Sequence, residues 1–192
     1  TVIAILSVMV AILIPTVSSS REAAAKTRTR VQFNQWAVAI ASFRSEYGYY
    51  PLFDASYKVN GGADEVNHLF HDVLAGRKRN GAALSTGSPA ASQNKKQISF
   101  CSFSEADFTG AGSATPNLLQ DGFGETDIAV LVDRNLDGVI NPIDYGETLP
   151  AVSGIRPNAT DFPADGIRAG VVFYCAAPRA TVDAPQFIFS WK

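Results

Sequence analysis

The residues of this sequence that are best suited to chemistry lie in the segment 133–144, DRNLDGVINPID. Counted from its first aspartate, oxygen-bearing side chains occupy positions one, three, five, nine and twelve, and a glycine occupies position six. This spacing is typical of a calcium loop, in which position seven adds a backbone carbonyl and the glycine allows a sharp turn. Calcium is the expected cation because it is hard and prefers oxygen ligands. The predicted ligands are Asp133, Asn135, Asp137, Val139, Asn141 and Asp144.

Two features distinguish this segment from an EF-hand pair. Its closing residue, Asp144, is an aspartate where glutamate is usual, and a predicted strand, not a helix, precedes the loop. The segment also occurs once, which argues against a dockerin. We therefore expect a single calcium loop that fixes the chain after a strand. An acidic surface turn without metal is the alternative.

The two cysteines, Cys101 and Cys175, each lie in an apolar run with the composition of a strand. In an exported protein such a pair is often bonded, whereas in the cytosol both would be small core residues. The sequence does not show whether the two alpha carbons come within bonding range. The sequence leaves two alternatives open, a Cys101–Cys175 disulfide and two free thiols.

Other kinds of chemistry find little support. The sequence contains no GxSxG, HExxH or Walker motif, so we expect no enzyme activity. His68 and His71 are three residues apart but have no third ligand at a suitable spacing, which favours a solvated helix face. A formal net charge of -2 gives no field that attracts nucleic acid, and no nucleic-acid partner is expected.

The elements that must position these residues begin with an uncharged apolar run, residues 1–14, followed by Pro15. A helix built from this run is apolar on every face, as in lipid or a tightly packed bundle. A membrane span needs about 20 apolar residues, so we expect the run to be part of a longer apolar helix. The proline is expected to produce a kink or a locally open turn.

The apolar run continues into an amphipathic segment. Its apolar residues recur every three or four positions, which predicts one helix from Thr1 to about Tyr47. Gly48 suits the residue that ends a helix, and Pro51 cannot continue one. The stripe expected to pack on a sheet consists of Phe33, Trp36, Ile40, Phe43 and Tyr47.

The rest of the sequence predicts an α+β fold. A short helix is expected over 63–76, with Asp64 as its cap, and a long exposed loop over 77–96. Four antiparallel strands are expected, with one face of their sheet on a core that the aromatic stripe covers. The predicted strands are 98–103, 127–133, 168–176 and 186–192.

Several of these segments resemble the type IV pilins and the pseudopilins of type II secretion. The resemblance lies in the apolar helix with its proline, then SREAA, then a helix ending in YGYYP, and in IRAGVVFYCAAP and FIFSWK near the C-terminus. It implies a pilin fold, with a filament-core or transmembrane segment at 1–23 and a globular domain at 24–192. Within that domain it implies a helix continuation at 24–47, a variable region at 52–126, and a sheet with the calcium loop at 127–192.

The family is defined by a prepilin leader that a peptidase removes, after which the new N-terminus is methylated. The resemblance implies about seven mature residues ahead of Thr1, among them the acidic residue of the family. It also implies that the helix packs in the core of a filament through positions Val2, Ile5, Met9, Ile12 and Pro15. Major pseudopilins and some pilins have calcium sites in comparable C-terminal regions, which agrees with the predicted loop.

The function implied by the resemblance is that of a structural subunit of an extracellular filament assembled from the bacterial inner membrane. Its expected partners are identical subunits, the inner membrane before assembly, and the pilus or secretion assembly machinery. A major pseudopilin of type II secretion is one alternative. A membrane-anchored, calcium-dependent adhesion domain is the alternative from another class.

Overall fold

Helix α1 extends from Val2 to Tyr47. The computed structural model describes residues 2–53, 56–61, 68–110, 112 and 117–192, with side chains from residue 19 onward. The helix ends as the sequence predicts: Gly48 has φ 79° and its N–H donates to Arg44 O at 2.7 Å. A left-handed residue of this kind is cheapest as glycine.

The described elements after α1 are three short α-helices, a 3-10 helix at Glu105–Asp107 and three strands. The helices are α2 (Leu69–Ala75), α3 (Pro89–Gln93) and α4 (Pro142–Tyr145), and the strands are β1 (Ile128–Val132), β2 (Val171–Ala176) and β3 (Phe187–Phe189). The sheet is antiparallel in the order β1-β2-β3. Residues 57–59 lie along β1, where Val59 N–H donates to Ile128 O and Val130 N–H donates to Tyr57 O, both at 2.9 Å.

Both faces of the sheet are buried, whereas the sequence predicts only one face on a core. Side chains alternate along the strands, so that Ile128, Phe173 and Ile188 join the core on the α1 side. Leu131 and Tyr174 belong to a second core on the opposite face. The chain between β1 and β2 covers that face, chiefly through Ile140, Tyr145, Val152, Phe162 and Ile167.

The aromatic stripe of α1 packs on the sheet with only part of its length. Phe33 stacks on Phe173 at 5.4 Å between ring centroids, and Trp36 lies 5.6 Å from the same ring. Ile40 belongs to the same core. Phe43 and Tyr47 instead belong to a separate cluster with residues of α2, α3 and the intervening chain, away from the sheet.

The expected strand at 98–103 is absent from the structure, and the sheet has three strands instead of four. The backbone here bonds to a helix end, because Phe100 N–H and Cys101 N–H both donate to Leu74 O, at 2.8 and 3.1 Å. The aromatic side chains nevertheless reach the core, where Phe103 lies 6.4 Å from Trp36. The apolar alternation of this segment therefore reflects packing around α2 and not sheet pairing.

The remaining predictions about the middle of the chain are partly met. Helix α2 ends at Ala75 before Gly76, which has φ 67°, while the expected cap Asp64 lies outside the described residues. The expected loop at 77–96 contains α3, whose N-terminus is capped by Ser88 Oγ accepting from Ala91 N–H at 3.2 Å.

The filament-core positions Val2, Ile5, Met9, Ile12 and Pro15 lie in the part of α1 whose side chains are outside the described residues. Among the described residues, no helix has the length and apolar character required to cross a bilayer.

Replacing Phe173 with alanine tests the contact between α1 and the sheet. Phe173 is fully buried among the rings of Phe33, Trp36 and Phe70. We expect Phe173→Ala to lower the free energy of unfolding by about 3 to 5 kcal/mol, since it leaves a cavity at the centre of the core. Urea denaturation followed by circular dichroism measures the change.

The matched control is Val182→Ala, because Val182 is 77% exposed. Its effect should stay within about 0.5 kcal/mol. Equal effects of the two substitutions would contradict the packing of α1 on the sheet.

Candidate calcium-binding loop

The predicted loop, residues 133–144, connects β1 to α4 and is fixed at both ends by the chain that precedes β2. At its start, Asp133 N–H donates to Gly170 O at 3.0 Å. Near its end, Ile140 and Ile167 exchange two backbone hydrogen bonds, of 2.8 and 3.0 Å. These bonds hold the loop at the end of β1, against the chain that leads into β2.

The first predicted ligand, Asp133, is a fully buried carboxylate at the end of β1. Its Oδ1 accepts from Asp137 N–H at 3.2 Å, and its Oδ2 accepts from Gly138 N–H at 2.9 Å. Gly138 has φ 84°, the left-handed conformation that the sixth position of the pattern requires. The carboxylate at position one therefore organises the turn at positions five and six.

The last predicted ligand, Asp144, is 1% exposed and connects the two ends of the loop. Its Oδ1 accepts from Arg134 N–H at 2.7 Å, and its Oδ2 accepts from Asn141 N–H at 3.0 Å. Asn141 Oδ1 in turn accepts from Ile143 N–H at 2.9 Å, which completes a capping box at the start of α4. Positions nine and twelve thus begin a helix as well as close the loop.

The middle of the loop is centred on the carboxylate of Asp137. Its Oδ1 accepts from Val139 N–H at 2.8 Å, and its Oδ2 accepts from Asn135 Nδ2 at 2.9 Å and Asn141 Nδ2 at 3.3 Å. The bond from Val139 N–H, followed by the bond from Asn135, holds the pKa of Asp137 below its usual range. This group therefore favours the folded loop at neutral pH, and its contribution is lost as the pH falls through that lowered pKa.

The donor chemistry of the loop fits calcium, since it consists of three carboxylates, two amides and a backbone carbonyl, all oxygen ligands. The three carboxylates do not converge, however: the described residues contain no group of three or more His, Cys, Asp or Glu side chains placed to hold a metal ion. Asn135 and Asn141 also present their amide nitrogens to Asp137. Binding would require both amides to turn an oxygen inward, which would break the bond from Ile143 N–H to Asn141 Oδ1 and the bond from Asp137 N–H to Asn135 Oδ1.

The two cysteines are free thiols in the structure, so the disulfide that the sequence left open is not formed. Cys175 is buried in β2 and its thiol donates to Asp121 Oδ2 at 3.3 Å. Burial, and then the nearby Asp121 carboxylate, raise the pKa of Cys175 well above its usual range. Burial likewise raises the pKa of Cys101 to about 11, so both thiols are protonated at neutral pH.

His71 is buried, which differs from the solvated helix face that the sequence suggests. Its ring lies 4.9 Å from that of Phe103, and its Nδ1 lies 2.9 Å from Asp72 Oδ1. The long-range contact with Phe103 was not visible in the local spacing of His68 and His71. His71 is therefore part of the packing between α2 and the chain that follows it.

A cavity of about 780 Å³ lies beside α2, and no local sequence pattern predicts it. The residues that line it include Asp72, Lys78, Arg79, Asn80, Ser88 and Glu105. Arg79 is bound to Glu105 by two hydrogen bonds, of 2.8 and 3.2 Å, and its guanidinium lies 3.7 Å from the centre of the Phe108 ring. The one local sign of this cavity in the sequence is the basic run at 77–79.

Alanine at Gly166 or Gly138 tests how the loop is fixed. Both glycines have positive φ, 78° and 84°. A Cβ at Gly166 would lie 2.5 Å from Ile140 O, whereas a Cβ at Gly138 meets nothing within 4 Å. We expect Gly138→Ala to cost about 1 to 2 kcal/mol from backbone strain. Gly166→Ala should cost roughly 2 to 5 kcal/mol, because overpacking adds to the strain.

Urea unfolding of the two variants measures the difference. A Gly138→Ala variant that is less stable than Gly166→Ala would contradict the Ile140–Ile167 contact as the clamp of the loop.

Comparison of the chain with protein-family models, with curated proteins and with solved structures finds no match. The resemblance to pilins therefore depends on residues of this sequence alone, mainly its N-terminal fifty.

Proposed function

We propose that this protein is the structural subunit of a type IV pilus-like filament and that it polymerises through the apolar first part of α1. The observation that carries the proposal is a single helix, Val2–Tyr47, with two different parts. Its sequence is apolar all round over 2–14, and its later part buries Phe33, Trp36 and Ile40 of the aromatic stripe against an antiparallel sheet. A helix of this kind can belong to two environments at once.

The length of α1 supports this division. A helix of 46 residues is about 70 Å long. A domain of about 145 residues has a radius of gyration of only about 15 Å. The described contacts of α1 with the rest of the chain lie between Glu22, which pairs with Arg179 at 3.6 Å, and Tyr47, which donates to Asn94 Oδ1 at 2.8 Å. The folded domain therefore contacts the second part of the helix.

The energetics of apolar burial explain why the first part would polymerise. In a membrane, lipid covers the apolar surface, and the backbone polar groups are satisfied within the helix. In a filament, copies of the same helix would cover that surface instead. Both states keep apolar area from water, where exposure costs about 25 cal/mol per Å². Transfer between them is thus close to balanced, and an assembly machine can drive it.

Two other functions are consistent with the same helix. A major pseudopilin of type II secretion would polymerise in the same way but in a filament that spans the periplasm. A membrane-anchored, calcium-dependent adhesion domain would keep its helix in lipid as a monomer. The adhesion proposal explains the apolar run but gives no reason for one continuous helix to join that run to the aromatic stripe.

We further propose that the loop 133–144 binds calcium when the domain is outside the cell. Asp133 and Asp144 are held at the two ends of the loop, and Asp137 lies at its centre with Asn135 and Asn141 beside it. Calcium would link these groups to the carbonyl of Val139 and so fix the connection between β1 and α4. Its role in this proposal is structural.

The substitution Ile12→Asp tests polymerisation. A carboxylate at this position would have to be buried between helices without a partner. The free energy that this burial costs is greater than the free energy that the subunit contacts supply. We expect cells that produce Ile12→Asp to make no filaments that contain this protein. Electron microscopy and immunoblotting of sheared surface material measure the outcome.

The control Val182→Asp places the same charge on the domain surface, where Val182 is 77% exposed. Filaments of this variant should be normal in number and length. Normal filaments from Ile12→Asp would overturn the proposal, and periplasm-spanning filaments without sheared fibres would favour the pseudopilin.

Addition and removal of calcium test the loop. A cation that binds only the folded protein raises its stability by about 2.7 kcal/mol when its concentration is 100 times the dissociation constant. We expect millimolar calcium to raise the Tm of the protein, a chelator to reverse the rise, and Asp137→Ala to abolish it.

The matched control is Asp165→Ala, since Asp165 is an exposed aspartate outside the loop. That variant should keep the full response to calcium. An equal Tm with calcium and with chelator in the unsubstituted protein would show that the loop is a turn without metal.

A further inference from the structure

Two asparagines in this sequence, Asn60 and Asn80, are each followed by glycine. This pair of residues favours a reaction between neighbours, because glycine has no Cβ to hinder approach of its backbone nitrogen to the preceding side chain. The nitrogen attacks the carboxamide carbon of asparagine, and a five-membered imide forms. Whether the reaction takes place in a folded protein depends on how firmly each side chain and its glycine are held.

Asn60 is held at every polar atom of its side chain. Its Nδ2 donates to Leu119 O and to Thr126 O, both at 2.7 Å, and its Oδ1 accepts from Leu119 N–H at 3.0 Å. Gly61 is buried. To bring Gly61 N onto the carboxamide carbon, Asn60 would have to break three hydrogen bonds that connect distant parts of the chain.

The side chain of Asn80 makes fewer hydrogen bonds than that of Asn60. It is exposed, as is Gly81, and among the described residues its Nδ2 has no hydrogen-bond partner. Its Oδ1 accepts from Ala82 N–H at 3.1 Å. The turn around it is closed by local bonds of 2.8 Å, from Gly81 N–H to Lys78 O and from Lys78 N–H to Ala82 O. None of the residues 78–82 of this turn is buried.

We propose that Asn80 is a site of spontaneous deamidation in the folded protein and that Asn60 is protected. A bond forms between Gly81 N and Asn80 Cγ, the bond from Cγ to Nδ2 breaks, and ammonia leaves with the proton of the Gly81 amide. Solvent water then opens the imide at either carbonyl. One product is aspartate at position 80, and the other is isoaspartate, in which the backbone continues through the side chain.

The consequence is a new negative charge on the wall of the cavity beside α2. Asn80 lines this cavity together with Lys78 and Arg79. A carboxylate at position 80 would lie next to these two cations and could compete with Glu105 for Arg79. In the isoaspartate product, one additional backbone carbon would also disrupt the two bonds that close the turn between Lys78 and Ala82.

Peptide mapping of the aged full-length protein tests the proposal. The folded protein and a urea-unfolded sample are incubated side by side at neutral pH, digested after acidic residues, and analysed by fragmentation mass spectrometry. An enzyme that methylates isoaspartate marks that product. We expect Asn80 to convert in both samples and Asn60 to convert only in the unfolded one.

The control variant Asn80→Gln should remove the isoaspartate signal of the peptide that contains position 80, because glutamine would need a less favourable six-membered ring. The unfolded sample sets the time scale of the comparison. An Asn80 that stays intact in the folded protein after it has converted in urea would overturn the proposal. Conversion of Asn60 as fast as Asn80 in the folded protein would overturn it as well.

Discussion

The structure depends on the contact between the aromatic stripe of α1 and one face of the sheet. Phe173 is the centre of this contact, with the rings of Phe33, Trp36 and Phe70 around it at 5.4 to 6.0 Å. A three-stranded sheet with short strands has little stability by itself. The long helix provides the apolar surface that the sheet needs, and the sheet in turn fixes the direction of the helix.

The second face of the sheet determines where the candidate site lies. Tyr174 and Leu131 require cover on that side, and the chain that provides it runs between β1 and β2. The loop 133–144 is the beginning of this covering chain, and its bonds to Gly170 and Ile167 hold it at the end of β1. A cation in the loop would therefore stabilise the cover of one core, while the helix covers the other.

Local patterns in the sequence predicted the elements that depend only on residues close to each other in the chain. The helix end at Gly48 and the turn at Gly138 each need only a left-handed residue, so the local sequence predicts both. The segment 98–103 was misread because Leu74, a residue distant in sequence, takes its backbone bonds. The burial of His71, the free thiol of Cys175 beside Asp121, and the cavity beside α2 also depend on distant partners. No local periodicity reports such contacts.

In the proposed function, copies of the same helix surround the first part of α1 in the working assembly. Cryo-electron microscopy of assemblies isolated from cells, without added detergent, tests this claim most directly. It predicts a helical polymer with the N-terminal halves of α1 bundled along the axis and the sheet domains outside. A protein recovered only as a monomer, with that part of the helix in lipid, would contradict it.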